Sequence, residues 1–232
     1  MTLRFQRRVS ESTSPQKVSA AAALVLLLLT PLSVVAYDTT YKDPREMQSL
    51  PAYCKYTQLF RDHIPGGNSP AEIERWTTIM GPTFIHMHHY CYGLMASNRA
   101  AFLSPTREDR MHNLGVSINE FDYVIERAPQ DFGLLPEILA RKGENLIQLD
   151  RVGKGMAELQ RAIDMKADYW PAYAAISDYY KEVGQLAKAR EWLEKGLSVA
   201  PDSHALRRRL AGLGAGQSKS NRSKSVQAPA ER

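Results

Sequence analysis

WPAYAAISDYYKEVGQLAKAREWLEKGLSVAPDS, residues 170–203, is the stretch that decides the fold. Tyr173, Ile176, Ser177 and Tyr180 recur at helical spacing and define one face of a first helix. Gly184 allows a turn; Ala189, Leu193, Gly196 and Leu197 form a facing stripe on a second helix, and Pro201 ends it. A shift of about 34 residues upstream lays the same pattern over Leu139, Lys142, Gly143, Leu146, Asp150, Gly155, Leu159, Ala162, Ile163 and Ala167. Small residues recur where two helices approach, and large ones where the gap must be filled.

The pattern resembles the tetratricopeptide repeat (TPR) family on Tyr173, Tyr180, Ala189, Leu193 and Pro201, and in the upstream copy on Gly143, Leu159 and Ala162. The upstream copy departs from the family at Ala167, where proline is usual, and at Lys142, where an apolar residue is usual. Ser117, Phe121, Val124 and Pro129 fit the second helix of a third, degenerate copy whose first helix holds Gly93, at a separation about twelve residues longer than standard. The resemblance implies an all-α fold: a short stack of TPR-like helical hairpins, two clear and one degenerate, behind a helical N-terminal extension. A hairpin cannot cover its own apolar face, so neighbours stack and a terminal helix closes the end. Leu206, Leu210 and Leu213 have the spacing for that cap, with Arg207, Arg208 and Arg209 mainly in water. The resemblance also implies a groove lined by first helices that binds a protein partner. Carried onto this chain, the groove positions are Glu137, Ala140, Glu144, Ile147 and Gln148, then Ala174, Asp178, Lys181 and Glu182.

Outside the repeats, residues 1–36 read as a signal peptide: a basic start, the apolar run Ala20–Leu29, and short residues up to Ala36 suited to cleavage. The alternative is an uncleaved membrane anchor over Val18–Val35, which would hold the protein at the inner membrane. Both put the folded part outside the cytoplasm, with the periplasm as the expected compartment. Residues 37–103 form a Cys/His-rich helical segment, residues 104–213 the repeats and cap, and residues 214–232 a basic tail poor in apolar residues. Within the segment, Ser69-Pro70-Ala71-Glu72 reads as a capping-box start for a helix that Gly81-Pro82 ends, and a second helix is expected over 83–103. In an oxidising compartment the only two cysteines, Cys54 and Cys91, are expected to form a disulfide. Such a bridge contributes about 3–4 kcal/mol by chain entropy.

His86, His88, His89 and Cys91 supply imidazole and thiol groups of the kind that bind copper or zinc. On a helix, however, His86 and His89 share one face and His88 and Cys91 another, and no His-x-x-x-His or Cys-x-x-Cys pair is present. The reading preferred on the residues is structural, with Cys91 bridged and no cofactor. No phosphate-binding glycine loop, metalloprotease helix or haem-attachment motif occurs, so no enzyme is expected. Part of the net charge of +5 lies in the two tails, so it is weak evidence for nucleic acid binding, and no nucleic acid partner is expected. The functional expectation is an extracytoplasmic TPR adaptor or scaffold for protein–protein interaction in envelope assembly, secretion or surface-structure biogenesis. Its alternative is a metal-binding or redox accessory protein that uses the segment from His86 to Cys91. Oligomeric state is left open.

Overall fold

Proline, glycine and short polar runs divide the chain into helices in this computed structural model, which describes residues 44–214. The N-terminal segment comprises α1 (Pro44–Gln48), a 3-10 turn (Ala52–Tyr56), α2 (Phe60–His63), α3 (Pro70–Met80) and a second 3-10 turn (Gly81–His86). Longer helices follow: α4 (Met87–Phe102), α5 (Arg107–Arg127), α6 (Leu135–Gln148), α7 (Val152–Met165), α8 (Trp170–Glu182) and α9 (Leu186–Val199). A last helix, α10, runs over residues 204–214. The expected leader over residues 1–36 and the tail beyond residue 214 lie outside the described residues. Among the described residues no helix is long and apolar enough to cross a membrane.

Two local expectations are corrected. The helix expected over 83–103 begins only at Met87, because the chain leaves α3 through Gly81 at φ 61 and Pro82 starts a tighter 3-10 turn. The capping box at Ser69 does not form: its side chain makes no cap hydrogen bond, and Glu72 instead lies 3.5 Å from Arg75. Proline does hold the first position of α3. A working cap occurs at α5, where Thr106 Oγ1 accepts from the Asp109 N–H at 3.0 Å.

The hairpins are α4–α5, α6–α7 and α8–α9, stacked in chain order with α10 at the end. In α6–α7 the helices meet at glycine: a Cβ on Gly155 would sit 2.6 Å from the Gly143 carbonyl oxygen, and one on Gly143 would sit 2.8 Å from that of Gly155. In α8–α9 the matching residues are Ser177 and Ala189, and the Ser177 hydroxyl donates to the Ala189 carbonyl at 2.9 Å. A buried hydroxyl therefore does in one hairpin what backbone contact does in the other. The degenerate pair α4–α5 uses Gly93 differently, to seat the Phe121 ring, which would lie 2.4 Å from an added Cβ. The turn inside each clear hairpin needs a left-handed residue, supplied by Gly184 at φ 76 and by Asp150 at φ 59.

Two hydrophobic clusters result. The first joins α4 and α5 to the N-terminal segment through Tyr53, Phe60, Met87, Tyr90, Phe121 and Val124; the second runs from α6 to α10 through Leu159, Ile176, Leu193 and Leu206. They meet on α6, where Ile138 belongs to the first and Leu139 to the second, both 0% exposed. The expected cap is built on Leu206 and Leu213, both buried, with Leu210 packed at the edge. Arg207 and Arg208 are exposed, whereas Arg209 departs from the expectation of solvent exposure and pairs with Asp178 at 3.0 Å.

The glycine contact yields a direct prediction. Alanine is favoured over glycine inside a helix by about 1 kcal/mol, but the Gly155→Ala methyl meets backbone that has nowhere to go. Overpacking of this kind costs about 1–3 kcal/mol. Urea denaturation is expected to show Gly155→Ala destabilised by about 1–2 kcal/mol, while Gly153→Ala, with open space around it, is not.

Candidate functional site

The first helices of the two clear hairpins, α6 and α8, carry the predicted partner-binding residues, and the structure sorts them into three groups. Ala140 and Ala174 are 2% and 3% exposed, so their methyl groups belong to the core and not to a surface. Ile147 is half-buried against α7, with its Cγ1 2.6 Å from the place of a Cβ on Gly155. Gln148, Lys181 and Glu182 are exposed, and Glu137, Glu144 and Asp178 are half-buried. The helical positions were assigned by offset alone; small side chains at such offsets sink between adjacent helices instead of facing outward.

The charged members lean acidic, with Glu137, Glu144, Asp178 and Glu182 against Lys181, and arginines from outside the set pair with two of the acids. Glu137 accepts a hydrogen bond from the Tyr90 hydroxyl at 2.8 Å and lies 3.4 Å from Arg141 Nε. Burial, then the adjacent Glu137 carboxylate, holds the Tyr90 hydroxyl well above its usual pKa, so it remains a donor. Further along α6, burial raises the Glu144 carboxyl above its usual range, against the attraction of Arg141. Asp178 on α8 receives Arg209 from α10. Gln148 accepts from Arg110 at 2.9 Å. Arg141 and Tyr90 are absent from the sequence-derived groove, and Arg209 was expected only as a solvent-facing residue of the cap; of the three, only Arg141 had a readable signal, its helical spacing four residues from Glu137.

Lys142, the residue out of place in the repeat pattern, has a partner on each side. Its ammonium lies 2.6 Å from Asp122 on α5 and 2.6 Å from Glu158 on α7. Burial disfavours its charge, but the hydrogen bonds to Asp122 and Glu158 more than offset that and hold its pKa above the usual lysine value. Nearby, Asn145 Nδ2 donates to Ser97 Oγ and Ser117 Oγ, both at 2.8 Å, and the two hydroxyls are 2.8 Å apart. One helix thus sends a cation to α5 and α7 and an amide to α4 and α5.

The histidine segment is held by a disulfide, an ion pair and ring contacts. Cys91 is bonded to Cys54 across 37 residues, and both are 0% exposed, so the thiol named as a candidate ligand is committed to the bridge. His89 Nδ1 lies 2.6 Å from Glu120 and its ring stacks on Tyr123 at 3.6 Å. His88 lies over His89 at 4.2 Å with its Nδ1 at 2.9 Å from the Ile85 carbonyl. The Arg127 guanidinium covers the Tyr123 ring at 3.6 Å, and His86 meets the same ring edge-on. The result is a cation and aromatic stack that packs α4 on α5. Among the described residues no group of three His, Cys, Asp or Glu side chains is placed to hold a metal ion.

Residues 171–203 match the family model described as tetratricopeptide repeat. That stretch is a tetratricopeptide repeat. A search of curated proteins finds no match to the chain. The TPR covers α8, α9 and the turn into α10, and α6–α7 stacks before it as a second hairpin with the same spacing of close contacts. Repeats of this kind present extended surfaces that bind protein partners, so an interaction or scaffold role follows from the fold.

Two measurements probe the ionisable groups. Removing one member of a buried charge set costs about 3–5 kcal/mol, and the 38% exposure of Asp122 reduces this. Lys142→Met is therefore expected to lose about 2 kcal/mol in urea denaturation, and Glu158→Gln in that background to recover part of the loss. Burial, then His89, depresses His88 from 6.5 to about 4, so the fold prefers the neutral ring. This contribution is complete above pH 6.5 and is lost as pH falls towards 4. The melting temperature of the wild type is expected to fall more steeply over that interval than that of His88→Gln.

Proposed function

We propose that this protein is an exported, non-catalytic adaptor that holds an extended segment of a protein partner against the first-helix face of its repeats. The observation that carries the reading is the TPR match at residues 171–203, in a stack whose α6–α8 face keeps exposed polar side chains at Gln148, Lys181 and Glu182. The half-buried Glu137, Glu144 and Asp178 and the exposed Arg141 beside them supply charges of both signs, which favour a partner of matched pattern over affinity alone. With two clear hairpins the face is short, so modest affinity is expected.

The extracytoplasmic setting is supported by the leader composition of residues 1–36 and fits a buried disulfide between Cys54 and Cys91. Envelope assembly, secretion or surface-structure biogenesis are the processes in which such an adaptor would serve. A photocrosslinking amino acid at Lys181 is expected to trap one discrete protein in cells, and Gln148→Arg with Glu182→Arg to abolish the adduct. Crosslinks that persist unchanged in the double variant would contradict docking on this face.

A further inference from the structure

A cleft of about 490 Å³ lies beside the disulfide-clamped segment, between α3 and the 3-10 turn Gly81–His86. Its wall includes Ile73, Pro82, Phe84 and Ile85, and one end carries Gln58 and Arg61. The volume is that of a small-molecule site. Ile85 is 58% exposed although it is large and apolar. The polar end is uncommitted: Arg61 Nε is shielded from solvent without a hydrogen-bond acceptor among the described residues, and its nearest carboxylate, Asp62, is 4.0 Å away. A guanidinium so placed can swing onto an incoming carboxylate without losing an existing hydrogen bond, and two parallel N–H donors would then meet it.

We propose that this cleft binds the carboxylate of a single acyl chain, with the chain along Ile73, Phe84 and Ile85 and the carboxylate on Arg61. Charge complementarity selects an anion, and the lining selects an acyl chain over a peptide. Each peptide residue brings an N–H and a C=O that need partners; the side chains of the wall offer the Gln58 amide at the polar end, while the Thr77 hydroxyl already donates its hydrogen to the Ile73 carbonyl at 2.7 Å. An acyl chain brings no such demand beyond its head group. The site is separate from the α6–α8 face and does not depend on partner docking there.

The test is titration of the full chain with decanoate, followed by calorimetry and by methyl shifts of the isoleucines. Expected results are saturable one-site binding that shifts Ile73 and Ile85, at least tenfold weakening in Arg61→Gln, and comparable weakening in Ile85→Glu. Decanol should bind at least tenfold more weakly than decanoate, and an acetylated peptide ending in leucine should not displace it. Arg61 makes no side-chain hydrogen bond among the described residues, so Arg61→Gln should keep the wild-type melting temperature. Absence of saturable binding, equal binding by Arg61→Gln, or displacement by the peptide would each overturn the proposal.

Discussion

Everything in the described fold depends on α6 being buried from two sides. Leu135 and Ile138 face the core of the disulfide-clamped segment, while Leu139 and Ala140 face that of the repeats. Each large apolar side chain of this kind contributes about 1.5–3 kcal/mol through burial, and here neighbouring residues on one helix contribute to different clusters. The N-terminal segment is therefore a wall of the same structure as the repeats, and α6 has no free face for an apolar ligand.

That constraint explains the polar residues in α6. A helix enclosed on both sides needs register as well as area, and hydrogen bonds with fixed geometry supply it. Asn145 meets serines from α4 and α5, Lys142 meets carboxylates from α5 and α7, and Glu137 meets the Tyr90 hydroxyl from α4. The remaining edge of α6 carries Arg141, Glu144 and Gln148. The disulfide between Cys54 and Cys91 secures the far side of the first core by tying the short 3-10 turn Ala52–Tyr56 to α4.

The repeat hairpins were legible because their signals are local. Tyr173, Gly184, Ala189 and Leu193 lie within one short stretch and keep fixed offsets, so helices, turn and stripe could be read together. Lys142 was visible as a departure from pattern, but its reason was not, since Asp122 and Glu158 belong to separate helices and only packing brings all three together. Ser69 failed in the opposite way: its capping signal was sound locally, yet Glu72 was drawn to Arg75. For the candidate site, offset alone put the residues on α6 and α8 but could not give the depth of each side chain. Ala140 and Ala174 disappear between helices because they are small, and Arg209 enters from α10, whose docking angle no offset encodes.

A protein built this way resists separation into an accessory segment and an independent repeat array. Any partner docked on α6 and α8 would stabilise both cores, because it would bind an element they share. Native-state hydrogen exchange in increasing denaturant tests that unity most directly. If α6 joins the two clusters, its amides are the slowest to exchange, and those of α4 and α9 lose protection together with them in a single opening. Exchange of α4 and α5 at a much lower opening free energy, with α6 to α9 still protected, would contradict it.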